Sequence, residues 1–239
     1  MSKRKNPHPV SMIDALANAG RLLAAPARAA MLVELMGGRA VPAGDLAAAA
    51  HVSPQTASEH LARLIEAGFV MVKRQGRHRY YELANADVAY VVESLQALSA
   101  APCAGPAERP ALGSLKHART CYAHLAGWLG VAIADALRRE GYLIPAAGRS
   151  LTVTDRGRQW FEQRGIVVPH SSSAADSKLA RQCSDWTERR PHLAGTLGVI
   201  LYKRFLELGW IAPSGKSRAV RVTLEGRKAF SKYLHIVVG

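Results

Sequence analysis

Three groups of side chains in this 239-residue chain have the types and spacing to do chemistry. The first is Gln55, Thr56, Ser58, Glu59, His60 and Arg63, directly behind Ser53-Pro54. Donors and acceptors packed this densely suit the edges of bases in a major groove. The second is Lys73, Arg74, Arg77, His78 and Arg79 around Gly76, with Tyr80 next to them. Cations clustered at a turn suit phosphates, which supply affinity and salt dependence rather than choice of sequence. The third comprises His117, Cys121 and His124 and, farther along, Cys183, Asp185 and His192. On a helix the first three of these, spaced i, i+4 and i+7, fall within about 60° of one another. Thiolate and imidazole at that reach suit zinc or another soft divalent ion. The same residues fit two other roles, a thiol switch or plain structure. Free cysteines serve as small buried apolar residues, and a histidine that opens a Leu-Ala-Gly helix serves as its hydrogen-bonded end.

The elements that must position the first two groups are legible from local signals. Residues 27–36 read as a helix behind Pro26, with Ala30, Leu32, Val33 and Leu35 apolar, ending at Gly37-Gly38. A second, short helix spans 42–50, and His51-Val52 turns the chain. Ser53 is an N-cap with Pro54 at the first helical position, where a missing N–H costs nothing. The helix it starts runs to about 67 and stops at Gly68, with Ala57, Leu61, Leu64 and Ile65 on its core face. Two helices joined by a short turn, the second showing polar side chains near its start, predict a helix-turn-helix. Residues 69–83 follow as a hairpin turning at Gly76, the wing.

The third group lies in a duplication. His124-Leu-Ala-Gly-Trp-Leu-Gly-Val131 matches His192-Leu-Ala-Gly-Thr-Leu-Gly-Val199 at seven of eight positions, 68 residues on. The register continues through Gly141/Gly209 and Pro145/Pro213. After a one-residue slip it runs through Thr154/Thr223, Gly157/Gly226, Arg158/Arg227 and Phe161/Phe230. Such copies pack as a pseudo-symmetric pair. Leu125, Leu129, Ile133 and Leu137, with Leu193, Leu197, Leu201 and Phe205 in the second copy, predict one amphipathic helix per copy. A strand–turn–strand and a last helix follow, which is the back half of a winged helix. Trp128, Trp160, Trp186 and Trp210 are core candidates or the lining of an inducer pocket.

The expected fold is therefore mostly α with short β-hairpins (α+β): an N-terminal winged helix-turn-helix, then two winged-helix-like repeats. The expected divisions are a basic tail 1–10, the winged helix 11–99, a Pro/Gly-rich linker 100–114, repeat one 115–164, a softer linker 165–177 and repeat two 178–237. The formal charge is +14, from 32 basic and 18 acidic residues, which favours a polyanionic partner. Residues 1–100 hold 11 basic and 8 acidic side chains, and 101–239 hold 21 and 10, so the repeats carry most of the excess. Arg149, Arg156, Arg158, Lys216, Arg218 and Arg221 are expected to add general DNA affinity. Three cysteines without framework spacing suit a reducing cytoplasm. No run approaches a membrane span, so a membrane partner is not expected. Phosphate loops, nucleophile elbows and metalloprotease helices are absent, and Asp135 and Glu140 make no acid/base pair by spacing. An enzyme is not expected, and non-specific nucleoid binding is the rival reading.

Residues 12–99 resemble the ArsR/SmtB family of winged-helix repressors. The resemblance rests on Pro26-Ala27-Arg28, Asp45-Leu46-Ala47, the run Val52-Ser53-Pro54-Gln55-Thr56-Ala57-Ser58-Glu59-His60-Leu61, Leu64 to Val70, and Arg77-His78-Arg79-Tyr80-Tyr81. It implies a homodimer built on the first helix and on one at about 86–100, bound to double-stranded operator DNA until an inducer relieves it. The family's familiar sensing sites are missing. Residues 40–50 hold no cysteine, 84–100 no histidine, and no cysteine precedes Cys103. Effector sensing, with a divalent metal among the candidates, therefore falls to the duplicated region.

Overall fold

A computed structural model describes residues 11–76, 78–99, 109–169, 176–215 and 217–239. The tail 1–10, Arg77, Cys103, Lys216 and the central parts of both linkers lie outside those residues. The chain divides into two compact units, the first ending at Ala84 and the second running from Asn85 to Gly239, with Met36–Gly38 counted in the second.

The first unit is a winged helix. α1 (Met12–Leu23) precedes α2 (Pro26–Leu35), β1 (Val41–Pro42), α3 (Ala43–Ala49), α4 (Pro54–Glu66), β2 (Val70–Gln75) and β3 (His78–Leu83). β3 pairs antiparallel with β1 and β2, in the order β1-β3-β2. Met31, Leu32, Leu35, Leu46, Ala57, Leu61, Leu64, Val70 and Leu83 are buried in the core. They come from the faces the hydrophobic periodicity marks, at 3.6 in the helices and 2 in β3. α1 is amphipathic yet buries none of its residues, and Met12, Ile13 and Leu16 stand exposed. Its C-terminal carbonyls are capped from α2: Arg28, itself buried, donates from Nε to Leu22 O (2.5 Å) and from Nη2 to Arg21 O (2.9 Å).

The second unit opens with α5 (Ala86–Ser99). The division at Ala84 sets this helix with the repeats, whereas the expected winged-helix domain extends to 99. α5 packs on β8 of repeat two, and Glu93, fully buried on α5, pairs with Arg119 of repeat one. Repeat one is β4 (Arg119–Cys121), β5 (His124–Ala126), α6 (Gly127–Arg139), β6 (Leu143–Pro145), β7 (Leu151–Val153) and α7 (Asp155–Glu162). After α8 (Asp176–Leu179) repeat two retraces the plan: β8 (Arg181–Ser184), β9 (Pro191–Ala194), α9 (Gly195–Glu207), β10 (Ile211–Pro213), β11 (Val220–Val222) and α10 (Leu224–Leu234).

The copies cap their last helices with the same bonds. Thr154 Oγ1 donates to Gly141 O and accepts from Gly157 N, and Thr223 Oγ1 does the same with Gly209 O and Gly226 N. Gly157 and Gly226 are required because a Cβ there would lie 2.3 Å from Tyr142 O and 1.9 Å from Trp210 O. The repeats are also interlocked reciprocally. An isolated bridge Arg119–Ala219 ties β4 to the residue before β11, and another, Ser150–Arg181, ties the residue before β7 to β8. α6 packs on β9 while α9 packs on β5. Leu129, Ile133, Phe161, Leu197, Leu201, Phe205 and Phe230 merge into one shared core.

One expectation fails here. The leucine periodicity starts the repeat helices early enough to carry Cys121, His124 and Leu125. Those residues instead form a hairpin, and the helix begins at Gly127, with Leu193 likewise on β9. Gly127 (φ +79°) and Gly195 (φ +78°) take left-handed backbone at the strand-to-helix corner. That geometry suits glycine and ends any continuous helix through it.

Candidate nucleic-acid interface and a buried Cys-His cluster

α4 is built as the local signals require. Ser53 is extended (φ −64°, ψ 154°), and its Oγ accepts from Thr56 N at 3.2 Å. Ala57, Leu61 and Leu64 turn inward, so Gln55, Ser58, Glu59 and Arg63 project into solvent. Not every candidate is equally free. Thr56 is half-buried with its hydroxyl 2.9 Å from Ser53 Oγ, and Ser58 donates to Pro54 O. His60 is half-buried with Nδ1 3.4 Å from Arg28 Nη1. Arginine can only donate, so Nδ1 accepts and the ring proton sits on Nε2. Gln55, Glu59 and Arg63 hold their polar ends outward, with no partner among the described residues.

The wing pairs Arg74 with Arg79, Lys73 with Tyr80 and Gln75 with His78 across β2 and β3. Gly76 turns it with φ +60°. Arg74 and Arg79 are exposed, Tyr80 is half-buried, and Arg77 lies outside the described residues. Lys73 is partly neutralised by Glu82, 2.5 Å away. In the repeats, several of the cations counted toward DNA affinity have internal partners. Arg149 lies 3.5 Å from the ring centre of Tyr90, and Arg158 donates to Pro169 O.

The third group separates. His117 sits in a turn, stacked on Trp128 with ring centres 5.3 Å apart, away from Cys121 and His124. Both its ring nitrogens are buried without a hydrogen-bond partner among the described residues, and burial, then Arg227 and Arg109, push its pKa down. The other residues converge. Cys121 faces His124 across β4–β5, and Cys183 faces His192 across β8–β9. Directly paired residues share one face of a hairpin, and the two faces meet. The candidate ligand atoms of Cys121, His124, Cys183 and His192, all four residues buried, lie within 4.8 Å of one another. His124 Nε2 and His192 Nε2 are 3.0 Å apart. The shared contact with Cys183, then burial, raises the Cys121 thiol far above its usual value. Burial opposes charge on His192, but Asp185 and the Cys121 sulfur outweigh it and lift the ring to about 9.

Asp185 does not join the four. It stands behind them, 3.2 Å from His192 Nδ1, and accepts from Gly127 N, Thr187 N, Thr187 Oγ1 and Glu188 N. Arg119 reaches its Oδ2 at 3.0 Å and Glu93 Oε1 at 2.5 Å. Burial would raise the Asp185 carboxyl, but His192, Arg119 and Thr187 hold it well below the carboxylate range. Sequence reasoning missed Arg119 and Glu93. Their signal was a buried-type pattern around isolated charges, which spacing alone does not pair.

A capped recognition helix beside a two-stranded basic wing defines a winged helix-turn-helix protein. Residues 23–73 match the helix-turn-helix domain family. The HTH-type transcriptional regulator YdfF of Bacillus subtilis (strain 168) is 42% identical over 226 residues, spanning 93% of this chain and 98% of that protein. The chain belongs to the HTH-type transcriptional regulators. Among solved structures, a homodimeric winged helix-turn-helix DNA-binding domain from Mycobacterium bovis is 30% identical, covering 37% of this chain and 81% of that one, with a TM-score of 0.34. The transcriptional repressor BigR from Xylella fastidiosa is 28% identical over 37% of this chain and 90% of its own, with a TM-score of 0.33. Among the described residues no helix is long and apolar enough to cross a membrane.

Proposed function

We propose that the protein is a homodimeric repressor that reads an inverted-repeat operator and releases it when the repeats bind an effector. The observation that carries the DNA reading is α4: Gln55, Glu59 and Arg63 project from a capped helix whose opposite face is locked in the core. Arg74 and Arg79 on the wing supply phosphate contacts. Two exposed apolar faces support the dimer, Met12, Ile13 and Leu16 on α1 and Val91, Leu95 and Leu98 on α5. The ArsR/SmtB resemblance implies a dimer contact on these same helices. Release is assigned to the repeats because α5 is held to them by Glu93–Arg119 and by Asp87 with Arg181 at 3.5 Å. An effector acts there only by binding the two states unequally.

The test is selection of binding sites from random duplexes by the full chain, followed by titration of the selected and scrambled duplexes at matched salt. A palindromic site bound ~10³-fold or more above the scrambled duplex supports the reading. Replacing Gln55 with Ala then relaxes preference by about 1–3 kcal/mol at one base pair per half-site. Equal affinity for every duplex returns the protein to non-specific nucleoid binding.

A further inference from the structure

We infer that Cys121, His124, Cys183 and His192 form a tetrahedral site for one thiophilic divalent cation of the zinc class, set on the pseudo-two-fold between the repeats. The inference rests on the repeats alone, so it stands or falls separately from the operator reading.

Four observations converge on it. The first is donor chemistry. Two thiols and two imidazoles within 4.8 Å of one another are an S2N2 set, the type that selects zinc. A zinc tetrahedron with bonds of about 2.0–2.3 Å has ligand–ligand edges of roughly 3.3–3.8 Å. The four atoms lie within 4.8 Å of one another and the two histidine nitrogens 3.0 Å apart, so small side-chain adjustments bring them to those edges. The second is charge. Binding expels one proton from each thiol and the extra proton that His192 carries below about pH 9, so a dication with two thiolates and two neutral imidazoles is neutral overall. Only a neutral group belongs in a site where all four residues are buried.

The third is orientation from outside. The ring of His192 has Nδ1 toward Asp185 and Nε2 toward the cluster, with Asp185 3.2 Å away. A carboxylate at ion-pair distance behind a histidine favours the proton on Nδ1 and leaves Nε2 free to ligate, and a small rotation of the ring would align the contact as a hydrogen bond. The fourth is that a glycine of each repeat's helix, kept small by its own repeat's leucine carbonyl, lies against the other repeat's histidine. A Cβ on Gly130 would meet Leu125 O at 2.5 Å and His192 Cβ at 3.5 Å. On Gly198 it would meet Leu193 O at 2.7 Å and His124 Cβ at 3.2 Å. Each repeat's helix thus presses against the other repeat's histidine through a glycine, at equivalent positions of the duplication. The ligand set is itself duplicated, one Cys-His cross-strand pair per hairpin, so the cation links the two copies in their buried interior.

The full-length protein, stripped with chelator under reductant, is titrated with cobalt(II) and then zinc(II). One cobalt per chain, with the intense visible bands of a tetrahedral site and thiolate charge transfer, supports the inference, as does displacement by one zinc. Native mass must rise by one zinc less two protons. Cys121→Ser and Cys183→Ser should each lower affinity at least 100-fold. Should those variants misfold, alkylation of the wild-type chain under mild denaturation decides: zinc must protect Cys121 and Cys183 together while Cys103 stays reactive. Absence of tetrahedral cobalt in the wild type overturns the inference. So does uptake that survives the double Cys121→Ser/Cys183→Ser variant, or equal alkylation with and without zinc.

Discussion

Replacing Arg119 by Met should be among the most damaging single changes in the second unit, and a second change should undo much of the harm. Arg119 is fully buried and its Nη2 bridges Glu93 and Asp185, while Nη1 reaches Thr187 Oγ1 at 3.1 Å. The two carboxylates depend on it unequally. Asp185 keeps four hydrogen-bond donors without it, whereas Glu93 Oε1 would be left without its cation and Oε2 has no hydrogen-bond partner among the described residues even now. Breaking a buried pair by removing one member costs about 3–5 kcal/mol, because the other charge is stranded. Most of that cost should come from Glu93. Glu93→Leu combined with Arg119→Met should therefore recover about 2 kcal/mol or more of the loss, since apolar replacements of similar volume are often neutral at such sites. Urea unfolding followed by tryptophan fluorescence, with all four proteins of the cycle, measures the coupling. A loss below about 1 kcal/mol for Arg119→Met, or simple additivity in the double variant, would refute the claim that this pair fixes α5 to the repeats.

Other outcomes follow from the same geometry. Arg74→Ala and Arg79→Ala should weaken selected and scrambled duplexes alike and shallow the salt slope by about one unit for each phosphate no longer neutralised; an unchanged slope in titrations across salt removes the wing from the backbone. Leu95→Glu and Leu98→Glu, on the exposed face of α5, should shift sedimentation toward the monomer with the fold intact, whereas a dimer that persists moves the interface elsewhere. His117 is held neutral by burial and by Arg227 and Arg109, so its folded pKa lies below the unfolded value near 6.5. The unfolded chain then binds more protons in that interval, and stability present above about pH 6.5 is lost as pH falls through it toward the folded pKa. His117→Phe should flatten that part of the pH–stability curve, and a curve of unchanged steepness rules His117 out as its source.

The two halves of the chain differ in how much their sequence discloses, and the cause is range. In the winged helix each element announces itself within a few residues: Ser53-Pro54 caps α4, Gly68 ends it, and Gly76 turns the wing. These are local choices, and tertiary packing agrees with them. The role of α1 is less legible, because its apolar face lies open and no core partner among the described residues answers its periodicity. His60 is legible only in part, because Arg28, 32 residues away in sequence, turns it toward α2.

In the repeats the duplication is plain, but the element at its most chemical point is not. Cys121 and His124 sit three apart, which a helix and a two-residue hairpin both bring to one face, and the Leu-Ala-Gly run that follows favours starting the helix too early. Register hides the rest. The histidines are 68 residues apart but the cysteines 62, so in the register of the histidines Cys183 falls opposite Leu115 rather than Cys121. The six extra residues are the turn 185–190 between β8 and β9, present only in repeat two. That insertion carries Asp185, which braces His192, caps Gly127 N at the start of the other repeat's helix and receives Arg119. The duplication supplies four symmetric ligands, and the one asymmetric loop supplies the carboxylate that lies against His192 and joins it through Arg119 to Glu93 on α5. Three buried polar contacts, His192 with Asp185, Asp185 with Arg119 of repeat one, and Arg119 with Glu93, thus connect the cluster to the helix with the exposed Val91, Leu95 and Leu98 face.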